Sequence, residues 1–266
     1  MKKTLLSYFL FISCLLPVEA QQPSKKMVKE MVQKIEELIL THYVLPEQGE
    51  KIAAQFRADF QKGRFDQANS LKQLDSTMTK SLREVSQDFH LYVWNNKEIV
   101  EQLKAEARAE PDEEEAQETS NFFNSEKAYQ ANFGFEKVEV LEGNIGYIKL
   151  SQINISKYSL KKLYAAMHLV ANTQALILDL RNNGGGGSSM GAVLESFFFE
   201  EYTELLEFRQ RNGSTNVEAT VPWLLEKRYP RPLYILINKR TGSAAEAFTF
   251  ALKNQKRCIL VGTNSS

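Results

Sequence analysis

The chain has 266 residues, of which 43% are hydrophobic and 25% are charged, a composition typical of a globular protein. Lys and Arg total 33, Asp and Glu also total 33, and the net charge is therefore zero. Because the chain has no overall positive field and no basic cluster with interleaved aromatic residues, we exclude nucleic acid as a partner.

The first twenty residues have the pattern of a secretory signal peptide. A positive start, "MKK", is followed by an apolar run and by the small residue Ala20 before Gln21. The apolar run is short for a membrane span. Lipidation at Cys14 is a less favoured alternative, because a further apolar stretch, "LLPV", follows that residue. The sequence predicts removal of residues 1–20 and export to the periplasm or the extracellular space.

Cysteine usage excludes two kinds of cross-link in the mature chain. Once Cys14 has left with the signal peptide, Cys258 is the one remaining cysteine. An intramolecular disulfide and a cysteine metal cluster are therefore impossible, and we predict neither a metal site nor a cofactor. Cys258 begins the apolar stretch "CILVG", which indicates inert packing in a strand.

Three amphipathic segments lie between residues 25 and 88, and their apolar residues recur at helical steps of three and four. Short polar breaks separate them, and an apolar "LYVWNN" follows at residues 91–96. We predict a helical subdomain at residues 21–96, a small bundle that ends in a strand. The predicted core positions are Met27, Met31, Ile35, Leu38, Ile52, Phe56, Phe60, Leu71, Leu74, Met78, Leu82 and Val85.

The remainder divides into an acidic linker and an α/β core. Residues 97–132 include an acidic stretch almost free of large apolar side chains, which predicts a solvated linker. In residues 133–266, near-continuous apolar strands alternate with helices, which predicts an α/β core whose sheet is covered on both faces. The predicted strands are "NIGYIKL", "ALILDL", "PLYILIN" and "CILVG". One predicted helix begins at Ser156, the whole segment "SSMGAVLESFFF" is a second, and a third begins at Ser243. Two extended segments flank the turn "RNGS".

Four consecutive glycines at residues 184–187 follow a buried strand. Such a run costs backbone entropy, and it indicates positive φ angles or a close approach of backbone to another group. The spacing does not match G-x-G-x-x-G, and no Gly-Lys-Ser/Thr follows, so a phosphate cradle is poorly supported. The alternative is a loop of exposed backbone N–H groups that stabilises an oxyanion in acyl transfer.

Ser243 begins a helix within "NKRTGSAAEAFTF". Ser243 and Glu246 have the spacing of a capping box, so a simple helix cap is one interpretation. The glycine run and Ser243 both lie between a strand and a helix, at the edge where open α/β sheets form their sites. Ser243, with the Ala244 N–H beside it, would then be the nucleophile of a serine hydrolase that lacks only a base.

The segments "LILDLRNNGGGG" and "RTGSAAEAF" resemble the two signature segments of tail-specific (carboxy-terminal processing) serine proteases. Together with "THYVLPE", "SQDFHLYV", "IGYIKL" and "KRYPRPLYILINKRTGSAAEAF", they are most similar to the branch that contains interphotoreceptor retinoid-binding protein modules and tricorn-like proteases. The resemblance covers roughly residues 25–264. It implies a helical bundle before an α/β core of the crotonase type (the ClpP/crotonase fold), without a PDZ domain. It also implies hydrolysis of a peptide or protein substrate.

The resemblance further implies the residues of the site. Ser243 matches the family nucleophile, and Ala244 with Gly185 or Gly186 of the glycine loop matches the oxyanion hole. His90 in "DFHLYV" matches the histidine base of the tricorn-like branch. A histidine needs only a modest environmental shift to act as a base near neutral pH.

Other polar residues receive structural interpretations. Lys253 and Lys256 do not match the lysine base of the processing proteases, and the spacing of Asp88 and His90 does not by itself show that one orients the other. Structural roles are predicted for His42, His168, Glu246, Asp179 and Arg181.

Two alternatives to a peptidase remain open. The final "VGTNSS" ends where relatives continue, so we expect a C-terminus truncated relative to the family and an open edge on the last strand. One alternative is therefore a truncated, inactive homologue. The other is a module that binds an apolar ligand or peptide without turnover. Its pocket would be lined by aromatic residues that otherwise pack in the core, namely Phe197, Phe198, Phe199 and Trp223.

Overall fold

The computed structural model of the protein describes residues 22–96, 100–101 and 122–265. These residues group into two compact units, and the boundary between them, after residue 106, falls within the predicted linker. The predicted signal peptide and most of the predicted linker lie outside the described residues. Within the described part of the chain, no helix is both long enough and apolar enough to cross a bilayer.

The first unit contains the three predicted helices, and serine caps fix where two of them begin. The helices are α1 (Lys25–His42), α2 (Pro46–Gln61) and α3 (Leu71–Ser86). Ser24 accepts the Met27 N–H, and Ser70 accepts the Gln73 N–H, each at 3.2 Å. Each cap satisfies one of the N–H groups that the first turn of a helix leaves without a partner.

The buried face of α1 differs by one position from the predicted face. Val28, Val32 and Ile39 are buried, whereas Met27 and Leu38 are 42% and 44% exposed. The helical period was therefore right but the prediction for Met27 and Leu38 was wrong, since a run such as "MV" allows either residue to face the core. The other two helices bury predicted residues, namely Ile52, Phe56, Leu74, Met78 and Leu82.

The chain after α3 is extended, but it is not part of a sheet. The predicted strand at residues 91–96 pairs with no strand of the described residues. Side chains of α3 bond to its backbone instead: Thr79 accepts the Val93 N–H at 2.8 Å, and Asp75 accepts the Asn95 N–H at 2.8 Å. The apolar and aromatic composition thus predicted the extended conformation, but it did not predict the partner.

A five-stranded mixed sheet lies at the centre of the second unit. The strands of this unit are β1 (Phe135–Leu141), β2 (Ile145–Leu150), β3 (Ile153–Ile155), β4 (Ala175–Asp179), β5 (Gly186–Ser188), β6 (Glu204–Arg209), β7 (Thr215–Ala219), β8 (Leu233–Ile237) and β9 (Ile259–Gly262). The order of the strands in the five-stranded sheet is β1-β2-β4-β8-β9. The helices are α4 (Glu126–Gln130), α5 (Leu160–Val170), α6 (Val193–Ser196) and α7 (Ala244–Asn254). β1 is antiparallel to β2, and the other neighbours in this sheet are parallel. The α/β prediction is confirmed, and α4 falls within residues that the sequence had assigned to the linker.

One face of this sheet is covered more completely than the other. α5 joins β2 to β4 and α7 joins β8 to β9, both stepping in the same direction across the sheet. Right-handed crossovers therefore place both helices on the same face. Ile148, Leu178 and Ile235 on one face are buried, whereas Tyr147 and Ile177 on the other are only partly buried. Within the described residues, the face that carries Ile148, Leu178 and Ile235 is therefore the more completely covered of the two.

The segment after the glycine run is less helical than predicted. Gly186–Ser188 forms β5, which pairs in parallel with β3, and only Val193–Ser196 is helical. Gly186 has a φ of 131° and Gly191 a φ of 65°, angles that an α-helix does not use. The predicted extended pair around "RNGS" is present as the antiparallel hairpin of β6 and β7.

Two titratable side chains of the second unit are buried in ways that disfavour their charged forms. Burial raises the pKa of Cys258 to about 11, which keeps the thiol protonated near neutral pH. Burial also raises the pKa of Glu195 to about 8, and the nearby charge of Glu218 adds to the rise. Part of the Glu195 surface remains accessible to solvent, so we expect a reduced effect on stability.

Glu195 should make the stability of the protein fall as the pH rises through neutrality. Above the ordinary pKa of 4.5 the unfolded state ionises, while the folded state keeps its proton up to about pH 8. Glu195→Gln should therefore raise the free energy of unfolding at pH 8 by about 1.4 kcal/mol or more, the equivalent of one pKa unit, with little change at pH 4. Urea unfolding at the two pH values measures this difference. The matched control is Glu142→Gln at an exposed turn, and equal effects of the two substitutions would refute the assignment.

Candidate active site

Two loops leave the carboxyl ends of neighbouring parallel strands. The glycine loop (residues 180–187) follows β4, and the serine turn (residues 238–243) follows β8. Because β4 and β8 are adjacent and parallel, the two loops emerge at the same edge of the sheet, where open α/β folds form sites. The structure therefore brings together the two motifs that the sequence singled out.

Asn183 is a buried connector between the two loops. Its side-chain N–H donates to the Leu150 carbonyl oxygen at 2.8 Å, and its side-chain oxygen accepts the Gly185 N–H at 2.9 Å. Its own carbonyl oxygen accepts the Gly242 N–H at 3.0 Å. The side chain is fully buried, so these bonds are shielded from competing water. Asn183 thus fixes the glycine loop against both β2 and the serine turn.

Further hydrogen bonds join the same two loops near their bases. The Asn182 N–H donates to the Asn238 side-chain oxygen, and the Asn238 amide donates back to the Asn182 side-chain oxygen, each at 3.0 Å. The buried Thr241 hydroxyl donates to the Leu180 carbonyl oxygen at 2.9 Å. The loops are therefore held as one polar assembly rather than as two independent connections.

Gly185 lies in direct contact with the serine turn. A Cβ atom at Gly185 would lie 2.7 Å from the Gly242 carbonyl oxygen, 2.7 Å from the Ser243 Cβ and 2.8 Å from the Ala244 nitrogen. Non-bonded carbon, nitrogen and oxygen atoms do not approach this closely without displacement. Gly185 also has a φ of 101°, which disfavours any side chain. Close approach to Ser243 is thus a physical reason for a glycine here.

Ser243 has a strained backbone and an exposed side chain. Its φ and ψ are 53° and −126°, a combination that non-glycine residues rarely adopt. Its N–H donates to the Glu246 carboxylate at 3.0 Å, which is the carboxylate half of the predicted capping box. The Glu246 N–H in turn lies 2.9 Å from the Ser243 carbonyl oxygen, and Ser243 and Glu246 form the predicted capping box. The helix start is thereby stabilised, and the Ser243 side chain remains exposed to solvent.

The backbone N–H groups near Ser243 differ in whether they already have a hydrogen-bond partner. Ala244 is the first residue of α7, where N–H groups lack intrahelical partners. The Gly185 N–H is bonded to Asn183, so in this arrangement it is occupied. The Ile153 N–H donates to the Gly185 carbonyl oxygen at 2.9 Å, and the alternation of a parallel ladder then directs the Gly186 N–H away from β3. Of the two predicted glycine donors, Gly186 is the one whose N–H is engaged neither by Asn183 nor by β3.

His90 lies in the first unit, just after α3, and a carboxylate holds its ring. The Asp88 Oδ1 lies 3.0 Å from the His90 Nδ1 and also accepts the His90 N–H at 2.9 Å. The Asp88 Oδ2 accepts the Tyr43 hydroxyl at 3.2 Å. The imidazole is 78% exposed. With Nδ1–H directed at Asp88, Nε2 is the ring nitrogen that can accept a proton.

The pKa of Asp88 favours this arrangement. Burial alone would raise it, but hydrogen bonds from the His90 N–H, the His90 ring and the Tyr43 hydroxyl outweigh burial. They hold the Asp88 pKa below its ordinary value of 3.8, so the group is a carboxylate at neutral pH. An ionised carboxylate beside Nδ1 orients an imidazole and stabilises its protonated form.

The other candidates stay outside this chemistry. Lys253 lies near the far end of α7, about 15 Å from Ser243 at 1.5 Å per residue. His168 pairs with Glu226 on the surface, and Asp179 accepts a bidentate bond from Arg181 at the end of β4. Of the aromatic residues proposed to line a ligand pocket, Phe197 and Phe198 are buried in the core.

Sequence reasoning missed Asn183 and Tyr43 and gave little weight to Asp88. The pair Asp88–His90 had a usable signal, because an Asp two residues before a histidine often accepts that residue's N–H in an Asx turn. Asn183 and Tyr43 had no comparable signal. Their roles depend on burial and on partners 33 and 45 residues away along the chain.

Two family models match consecutive parts of the chain. Residues 24–142 match the N-terminal domain of peptidase S41 in eukaryotic IRBP, and residues 144–266 match peptidase family S41. Together they cover both units described above. The predicted resemblance to tail-specific proteases and to the retinoid-binding-protein branch is confirmed.

Two curated relatives agree with these family matches. The chain is 34% identical over 125 residues to the carboxyl-terminal-processing protease of Synechocystis sp. (strain ATCC 27184 / PCC 6803 / Kazusa), covering 45% of this chain and 27% of that protein. It is 29% identical over 126 residues to the carboxy-terminal processing protease CtpA of Bacillus subtilis (strain 168), covering 47% and 26%. The matched region spans about a quarter of the length of these relatives.

Among solved structures, a putative peptidase from Parabacteroides merdae ATCC 43184 shares the fold. Its TM-score is 0.53 at 16% identity, over 90% of this chain and 76% of that chain. At this sequence identity the similarity supports a shared fold and nothing further.

The four glycines should respond differently to substitution by alanine. Gly186→Ala should destabilise the protein by more than about 2 kcal/mol, because the new Cβ would lie 2.0 Å from the Ile153 carbonyl oxygen. Gly185→Ala should also destabilise it, through the contacts with the serine turn. Gly184→Ala and Gly187→Ala are matched controls with ordinary contacts or open space, and each should change stability by less than about 0.5 kcal/mol. Thermal unfolding of the four variants measures the contrast, and four equal effects would contradict it.

Proposed function

The chain belongs to peptidase family S41, and on this basis we propose that it is an exported serine-type peptidase that uses Ser243 as its nucleophile. The observation that carries the proposal is the strained, exposed Ser243 at the start of α7, packed against Gly185. A serine on a sharp strand-to-helix turn has its hydroxyl accessible and backbone N–H groups close by, which suits acyl transfer. A simple cap would not require positive φ.

In the proposed reaction, the Ser243 Oγ attacks the carbonyl carbon of the scissile peptide bond. The resemblance to the tricorn-like branch assigns the base that accepts the hydroxyl proton to His90, and in the first unit the Asp88 carboxylate beside its ring would stabilise the imidazolium that forms. The Ala244 N–H and the Gly186 N–H donate to the oxyanion of the tetrahedral intermediate. Gly185 contributes by leaving room for this approach, since its own N–H is bonded to Asn183.

Collapse of the intermediate breaks the C–N bond and leaves an acyl group on Ser243. The imidazolium gives its proton to the departing amine, which restores neutral His90. A water molecule then attacks the acyl carbon with His90 again acting as the base, and this releases the new carboxyl terminus and free Ser243. No step of this sequence needs a metal ion or a redox partner.

The proposed substrate is a peptide or protein outside the cytoplasm. Two relatives are named for carboxyl-terminal processing, which supports a polypeptide substrate for this chain. The signal-like pattern of residues 1–20 supports export. An apolar small ligand remains the second prediction from the sequence, but the burial of Phe197 and Phe198 removes two of its proposed contacts.

A fluorophosphonate probe should label the purified protein at Ser243. The probe reacts with serines whose hydroxyl is activated by a base, so Ser243→Ala should abolish labelling and His90→Gln should reduce it at least about tenfold. Labelling is read by gel fluorescence and the modified residue is located by mass spectrometry. Ser214→Ala, at an exposed turn serine, is the matched control and should label like the parent chain.

Three results bear directly on this proposal. Labelling lost in Ser243→Ala and weakened in His90→Gln supports the Ser–His pair. Labelling that depends on Ser243 but not on His90 would retain the nucleophile and refute the base. A folded parent chain that neither labels nor cleaves reduced, unfolded casein would refute the peptidase proposal.

Asp88→Asn should lower peptidase activity by about tenfold or more, because the neutral amide of Asn stabilises the imidazolium less than the Asp88 carboxylate does. Urea unfolding of the variant separates the two possible roles, since a loss of activity that merely follows a loss of stability would contradict the orienting role of Asp88. Asp66→Asn, at an exposed aspartate of the same unit, is the control and should leave both activity and stability unchanged.

A further inference from the structure

The serine turn carries two positive side chains shortly before the proposed nucleophile. Its first four residues form a β-turn, in which the Thr241 N–H donates to the Asn238 carbonyl oxygen at 2.9 Å. Lys239 and Arg240 are the two central residues of this β-turn, and both are exposed. The chain therefore places two solvated cations within four residues of Ser243, the group proposed to attack the substrate.

A third positive side chain comes from the start of the glycine loop. The first four residues of that loop also form a β-turn, closed by a hydrogen bond of 3.1 Å, and Arg181 is one of its two central residues. The Asn238 side-chain oxygen accepts both the Asn182 N–H and the Arg240 N–H, each at 3.0 Å. Two N–H groups that donate to one oxygen atom are close to each other, so the two β-turns lie side by side. Together they form a cationic edge, defined as Arg181, Lys239 and Arg240.

Two carboxylates lie close to this cationic edge, and each already has a bonded partner. Asp179 is 1% exposed and accepts a bidentate bond from Arg181. Glu246 accepts the N–H of the proposed nucleophile at 3.0 Å. Among the residues that the structure describes, no ion pair includes Lys239 or Arg240. Two exposed positive charges therefore remain for groups that come from outside this part of the chain.

We propose that the cationic edge makes the site selective for polypeptides that carry acidic side chains close to the scissile bond. Substrate carboxylates pair with Lys239 and Arg240, through hydrogen bonds that the two opposite charges strengthen. Arg181 contributes less, because Asp179 already neutralises its charge. The inference rests on the proposed function, since it takes Ser243 as the nucleophile, and it adds the class of substrate.

The cationic edge should act on substrate binding more than on the chemical step. Exposed charges of one sign around a site attract ligands of the opposite sign and raise the association rate. Each exposed ion pair is weak, and dissolved salt screens it. An interaction that is equally strong before and during the reaction lowers KM without raising kcat. We therefore expect acidic peptides to have a lower KM, a similar kcat and a preference that fades at high salt.

Peptide binding to the Ser243→Ala chain measures the charge preference without turnover. The probes are three dodecapeptides with the same neutral dye and the same Ala, Leu and Thr residues. They carry Glu, Gln or Lys at two positions on each side of the central bond, and binding is read by fluorescence anisotropy. The Glu peptide should bind at least about fivefold more tightly than the Gln peptide at about 50 mM NaCl, and the Lys peptide should bind most weakly. The Glu and Gln peptides should differ by less than about twofold at about 500 mM NaCl. Equal affinity of these two peptides at low salt would overturn the proposal.

A charge-matched pair of double variants tests which cations are responsible. Lys239→Gln with Arg240→Gln should lower the ratio of Glu-peptide to Gln-peptide affinity at least about threefold. Lys253→Gln with Lys256→Gln removes the same charge at the far end of α7, from two exposed residues, and should keep the parent ratio. Circular dichroism checks that both double variants are folded. A ratio that falls equally in both would show an effect of net charge alone and would overturn the assignment.

The parent chain, mixed with all three peptides, separates failure of this proposal from failure of the proposed function. Mass spectrometry of the products gives the ratio of kcat/KM values from one reaction. Equal cleavage of the Glu and Gln peptides would retain the peptidase and overturn the acidic preference. Preferred binding of the Glu peptide to the Ser243→Ala chain, with no cleavage by the parent chain, would retain the preference and refute the peptidase. Neither binding nor cleavage of any peptide would overturn both proposals.

Discussion

The contact between Gly185 and the serine turn is the constraint on which the second unit's site depends. The glycine lies so close to Gly242, Ser243 and Ala244 that no side chain fits between them. Asn183 enforces the contact from within, since it bonds to the Gly185 N–H, to the Gly242 N–H and to β2. The positive φ of Ser243 is unfavourable by itself, of order 1–3 kcal/mol, and it persists because the surrounding bonds hold the turn in place.

The first unit arranges its polar groups by a different means. Hydrogen bonds define the position of His90: the two oxygens of the Asp88 carboxylate bond to groups from separate parts of the unit, the His90 residue itself and Tyr43 in the loop after α1. Gln87, in the left-handed conformation, ends α3 and directly precedes Asp88. The end of this helix therefore fixes the position of Asp88 and of the His90 ring bonded to it. The same α3 then holds the following extended segment through side chains. A single helix thereby positions both the His90 ring and the residues that follow it.

Periodicity and position after a strand predicted much of this structure. The three helices, the α/β core and the meeting of the glycine loop with Ser243 follow from patterns that are local in sequence. The predictions that failed concern contacts between residues that are far apart in the sequence. The exposure of Met27 and the lack of a strand partner for residues 91–96 among the described residues depend on how elements pack, which composition does not specify. The role of Asn183 depends on full burial, and nothing in the letters "RNNGG" distinguishes Asn183 from the exposed Asn182 beside it.

The steric demand at Gly185 has a consequence for how sequences of this family diverge. Two of the three atoms that exclude a side chain there belong to the backbone of residues 242 and 244, and these remain whatever residue stands at 243. A descendant in which another residue replaced Ser243, the proposed nucleophile, would still be under selection to keep Gly185 for folding. The glycine is thus a marker of architecture, and its presence does not by itself report whether the proposed chemistry is retained.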